Sequence, residues 1–190
     1  MVPLFRQCLG VTTSGSPAAE PRYAVFSVAD RRLALPSGAV RRVLPMPRLE
    51  RLPGQPPVLA GVAVLGGEAV PVLSLGTLFG LAVREPGVYT PLLLITHEGG
   101  SLALLVDAVL AVRPADGPML EDVEEGGSFN GCIAGAWRRG AETVFLLDPA
   151  RLLTKAEEER LAGFRAVAEE RLRAWRGEPA YDEPAQGGAA

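Results

Sequence analysis

Gly61-Val62-Ala63-Val64-Leu65-Gly66-Gly67-Glu68-Ala69-Val70-Pro71-Val72-Leu73 is the stretch that decides how the chain folds. Two short apolar runs, 62–65 and 69–73, flank a Gly-Gly-Glu turn. Paired glycines permit the positive φ angles that a tight hairpin demands. Pro71 has no amide hydrogen for a ladder, which predicts an edge strand or a bulge at that residue. Residues 75–79 then make one helical turn, ended by Gly80.

Outward from this hairpin the pattern repeats in kind. Residues 23–28 and 32–35 read as strands joined by a turn, with Pro36 closing the second. Ser37 is positioned to cap a single helical turn through Val40. Downstream, 92–96 and 102–106 form a hairpin around Glu98-Gly99-Gly100, and 109–112 make a further strand. A glycine-rich loop follows at 126–131. Residues 132–137 and 143–147 pair across Arg138-Arg139-Gly140. Short strands at close spacing predict an all-β protein, a small barrel or a pair of them. No repeat of fixed period is visible.

Helix comes late. Asp148-Pro149 is a start signal, and Thr154-Lys155-Ala156-Glu157 matches a capping box. Leu161, Phe164, Ala168, Leu172 and Trp175 recur on one helical face. Glutamates 157–159 at the amino end and Arg171, Arg173 and Arg176 at the carboxyl end suit the helix dipole. The chain therefore divides into a flexible arm (1–22), a barrel region (23–153), an amphipathic helix (154–176) and a disordered tail (177–190).

Of 190 residues, 48% are hydrophobic and 22% charged, as in a soluble globular protein. The net charge of -3 disfavours a nucleic-acid partner. No uncharged run reaches the ~20 residues of a spanning helix, and the first residues lack a secretory pattern. A cytoplasmic protein with no membrane insertion is the expectation. Two cysteines and one histidine are too few for an ordinary zinc site or a Cys/His nucleophile. His97 reads as a surface histidine, Asp107 as a turn residue binding local amides, Asp148 as a helix cap and Cys132 as a core side chain. Glu121, Asp122, Glu124 and Glu125 read as a solvated acidic loop. No catalytic residue, metal or cofactor is expected.

What remains is surface chemistry: small barrels bind partners through apolar grooves and backbone pairing. Val40, Val43, Leu44, Val58 and Leu59 exceed what short loop-like elements bury. An adaptor is the leading reading. The alternatives are a small-barrel nucleic-acid-binding protein, whose arginines would have to be interleaved with aromatics, and a hydrolase built on His97.

The order of segments resembles the chemotaxis coupling protein CheW. The hairpin at 61–75 with Leu78-Phe79-Gly80-Leu81 is similar to its central signature. Glu50-Arg51-Leu52-Pro53, Leu104-Leu105-Val106-Asp107-Ala108-Val109, Ile133-Ala134-Gly135 and Phe145-Leu146-Leu147-Asp148 follow suit, covering about residues 22–153. The resemblance implies two intertwined five-stranded SH3-like β-barrels with a C-terminal α-helix. It also implies a non-enzymatic scaffold joining the cytoplasmic tip of a methyl-accepting chemoreceptor to a CheA-like histidine kinase. Val40, Gly61, Gly67, Val112 and Gly135 fall at family coupling positions. Arg42 and Gly66 stand where the family carries an acid and an arginine, and Val43, next to Arg42, is counted with them as a partner-binding residue. Leu161, Phe164, Leu172 and Trp175 either pack on the barrels or bind a partner or a second copy.

Overall fold

A computed structural model describes residues 20–97, 100–115, 117–120 and 131–176. Most of the predicted arm, the acidic residues 121–125, the loop at 126–130 and the tail at 177–190 lie outside them. The turn glycines and the apolar runs around them generate the strands β1 (Arg22–Val28), β2 (Arg31–Pro36), β3 (Val40–Leu44), β4 (Leu59–Leu65), β5 (Glu68–Ser74), β6 (Leu92–His97) and β7 (Gly100–Leu105). After these come β8 (Ala108–Pro114), the two-residue β9 (Met119–Leu120), β10 (Ile133–Arg139) and β11 (Glu142–Leu147). One sheet has the order β8-β1-β2-β11-β10-β9, the other β3-β6-β7-β5-β4. The chain leaves the first sheet after β2, builds the whole second sheet, and returns at β8. The fold is all-β, as the strand spacing predicts, and intertwined, as the resemblance implies, with five long strands per sheet and β9 as an addition to the first.

Both sheets are built on one plan. Each contains an antiparallel pair (β1–β2; β6–β7), a parallel pair (β2–β11; β7–β5) and an antiparallel hairpin (β10–β11; β4–β5). Each hairpin slips register at one place, Leu59/Gly61 in one and Ile133/Gly135 in the other. Each outer antiparallel pair slips too, skipping Arg41 on β3 and Leu110 on β8. The registers therefore match residue for residue: Leu59-Ala60-Gly61 corresponds to Ile133-Ala134-Gly135, Ala63 to Trp137, and Val43 to Val112. Even the exits agree. The Ser74 amide donates to Val58 O and that of Asp148 to Cys132 O, both at 2.8 Å. Ser74 Oγ then accepts from Thr77 N–H to start α1 (Leu75–Leu78), and Asp148 Oδ1 from Ala150 N–H to start a 3-10 turn.

Apolar runs such as 92–95 and 102–105 lack polar alternation because both faces of their strands are covered. Phe26, Leu33, Leu35, Leu73, Leu93, Ile95, Leu102, Leu104 and Leu147 meet between the sheets. The opposite face of the β3–β4 sheet holds Ala63, Val70, Val72, Leu92, Leu94, Ala103 and Leu105. The matching face of the other sheet holds Val25, Ala34, Val144 and the indole of Trp137. The irregular segment between β3 and β4 closes one open side, where Glu50 bridges Val62 with two 2.8 Å backbone hydrogen bonds.

Three expectations need correction. Pro71 is neither on an edge strand nor at the slip, because β5 lies between β4 and β7. It is tolerated since the opposing Val62 directs its backbone groups to Glu50, and the β7 ladder begins only at Val72. The helical turn is confined to Ser37–Ala39, and Val40 opens strand β3. Asp107 serves a distant amide: its Oδ2 accepts from Ala29 N–H at 2.6 Å, while its own amide donates to Ser27 O. Ala29 has a positive φ of 51°, a conformation that needs outside support in a residue with a Cβ. Asp107→Ala should therefore cost about 1–2 kcal/mol by orphaning that amide. A fall in the denaturant midpoint at constant slope is the readout, and an unchanged midpoint would contradict the assignment.

The helix α2 (Lys155–Arg176) begins with the predicted capping box. Thr154 N–H donates to Glu157 Oε2 at 2.8 Å, and Glu157 N–H returns to Thr154 Oγ1 at 3.3 Å.

Candidate partner-docking surfaces

Strands β3 and β8 each close one side of their sheet as edge strands. An edge leaves alternate backbone amides and carbonyls unpaired, a template for another chain. Val43 on β3 is 52% exposed and its counterpart Val112 on β8 is 50% exposed. Leu110, two residues from Val112 along β8, is exposed as well. Val40 is half-buried against the central core, and Arg42 is exposed beside Val43. Arg41, the residue skipped by the register, donates to Ser101 Oγ at 3.2 Å. Four of the predicted site residues thus lie on these two edges, and Leu110 was missed. Its signal in the sequence is an apolar residue that a bulge turns out of the ladder, which periodicity does not reveal.

The glycines do different work. Gly61 has a φ of 155°, and a Cβ there would lie 2.8 Å from the Glu50 carbonyl oxygen, so it admits the crossing segment. Gly135, at the matching slip opposite Leu146, is buried. Gly66 and Gly67 form the β4–β5 turn with φ values of 60° and 92°. Gly66 opens to space, whereas Gly67 O accepts from Arg176 Nη2 at 3.3 Å. The turn therefore meets the last residue of α2. Arg42 and Gly66, the positions at which the resemblance places an opposed charge pair, sit on opposite edges of the sheet.

Helix α2 lies along β5 and covers the hairpin tips of the same sheet. Leu161 joins the core between the sheets, and Phe164 and Ala168 pack on Leu52, Val62 and Ala69. Leu172 is half-buried and Trp175 is 90% exposed. The amphipathic face thus has two fates, packed at its start and open at its end. Arg165 donates to Ser101 O at 2.7 Å, tying the helix to the β6–β7 tip. His97 is corrected by this contact: its side chain is only 5% exposed, with Nε2 3.7 Å from Glu158 Oε1 on α2. A helix arriving 60 residues later buries it. Cys132 is buried in the central core, as expected. Among the described residues no group of three or more His, Cys, Asp or Glu is arranged to hold a metal.

A family model described as a CheW-like domain matches residues 22–157, ending three residues into α2. The structure is similar to that of the scaffolding protein TtCheW from Thermoanaerobacter tengcongensis, with a TM-score of 0.66. The two share 21% identity over 73% of this chain and 90% of that one, a likeness of fold. No curated protein matches the sequence.

Proposed function

Because the chain belongs to the CheW-like domain family, we propose that it couples a CheA-like histidine kinase to the cytoplasmic tip of a methyl-accepting chemoreceptor, as a scaffold that catalyses nothing itself. A scaffold must hold two partners at once, and the observation that carries this reading is the pair of matched edges. Strands β3 and β8 are both edge strands and carry the same half-exposed valine at the same register position. Two like edges on two like sheets support binding of one partner at each without mutual exclusion. Backbone pairing supplies affinity at such edges, and the side chains beside it supply selectivity. A cytoplasmic location goes with this reading; among the described residues no helix is long and apolar enough to cross a membrane.

The test is reconstitution at micromolar concentration with a CheA-like kinase and a receptor-tip fragment. Val43→Glu and Val112→Glu should each weaken one association by about tenfold or more, since a carboxylate must be desolvated at the contact. Each should spare the other partner. Val167→Glu, on the outward face of α2, should change neither. Failure of the unsubstituted chain to hold either partner would overturn the reading.

A further inference from the structure

Beyond Ala168 a groove of about 740 Å³ lies between the last turns of the helix and residues 47–51. Val64, Leu172 and the 90% exposed Trp175 supply apolar lining. Arg48, Arg51 and Arg171 line the same groove, against one acid, Glu50, which is 3.9 Å from Arg171. An apolar slot with excess guanidinium charge suits an extended acidic peptide that carries an apolar or aromatic anchor. A neutral peptide would gain nothing from the arginines, and a basic one would be repelled.

The chain contains such a peptide. Gly177-Glu178-Pro179-Ala180-Tyr181-Asp182-Glu183-Pro184 has three carboxylates, one aromatic ring and no basic residue, and it starts two positions after Trp175. Glycine just past a helix end favours the left-handed turn that reverses a chain, and the proline that follows forbids continuation. Six extended residues reach roughly 20 Å. The helix from Ala168 to Trp175 rises only about 10 Å. Attachment also raises the local concentration to the order of millimolar, so a weak contact suffices.

We propose that this groove is the seat of the chain's own acidic segment, residues 178–183, with Tyr181 as anchor and its carboxylates against Arg48 and Arg51. The contact would cover Trp175 and the outer side of the β4–β5 hairpin. It stands independently of the kinase and receptor reading.

Acrylamide, a neutral quencher, reports the exposure of Trp175, because the only other tryptophan, Trp137, is fully buried. Ending the chain at Arg176 should raise the quenching constant by about threefold, and Arg48→Glu with Arg51→Glu in the full chain should do the same. Circular dichroism should be unchanged in both. A synthetic peptide of residues 177–185 at millimolar concentration should restore protection to the shortened chain, and should bind the full chain about tenfold more weakly because the tethered copy competes. Equal quenching in full and shortened chains would overturn the proposal. So would insensitivity to the two charge reversals, or protection that grows with protein concentration, the mark of a second copy in the groove.

Discussion

Trp137→Ala should lower the stability of the fold by about 3–5 kcal/mol, the loss typical of deleting a fully buried aromatic side chain. The indole lies inside the sheet formed by β1, β2, β10 and β11, among Val25, Ala34 and Val144, with the Tyr23 ring 5.3 Å away. Those neighbours are small or already paired across the sheet, so they have little freedom to collapse into the space. The matching position in the other sheet is Ala63, where Leu92 and Leu94 fill the volume from β6 instead. One interior is thus packed around a single fully buried large side chain with the Tyr23 ring against it, and the other by several medium ones. A total stability of roughly 5–15 kcal/mol is normal for a domain, so this one change removes a large share. Chemical denaturation should show a lower midpoint with an unchanged slope. A loss under about 1 kcal/mol would mean that Trp137 is not the filling of that interior.

The second large effect is expected at Gly61. A methyl group there would sit 2.8 Å from Glu50 O and 3.1 Å from Leu49 Cβ. The oxygen is backbone and accepts from Val62, so it cannot rotate away. Gly61→Val must push the 47–51 segment outward and break the two Glu50–Val62 hydrogen bonds. Overpacking of about 1–3 kcal/mol and two lost hydrogen bonds of about 1 kcal/mol each bring the cost to roughly 3–5 kcal/mol. Gly66→Val, in open space on the same hairpin, should cost less, through its positive φ alone. Similar losses at the two positions, measured by denaturant midpoint, would refute the close-approach argument.

These two sites show where sequence reading succeeds and stops. Gly61 stood out as a family position, yet a sequence cannot say that its hydrogen faces Glu50. Trp137 is legible as part of a strand, but not as the fully buried large side chain of an interior. Strand β3 was missed because Val-Arg-Arg-Val-Leu does not alternate: the bulge at Arg41 shifts its later residues by one. The likeness of Leu59-Ala60-Gly61 to Ile133-Ala134-Gly135 is present in the sequence. It makes no repeat of strictly fixed period because the interval between equivalent residues changes along the chain, from 69 for Val43 and Val112 to 74 for Gly61 and Gly135. Whether the predicted coupling residues bind partners is a question for the edge-strand variants. The structure distributes them over two edges, one hairpin turn and two buried slips.

The sequence alone determined the elements and their local ends. Paired glycines set the hairpins, continuous apolar runs marked strands covered on both faces, and the Thr154–Glu157 box started the helix, all through interactions within a few residues. Tertiary structure alone decided what those elements enclose. It set the interleaving of two equivalent sheets, the interior place of Pro71, the burial of His97 beneath α2, and the division of that helix into a packed half and an open one. Each of these depends on contacts between residues tens of positions apart. Their geometry follows from which strands share an edge, and periodicity along the chain carries no record of that.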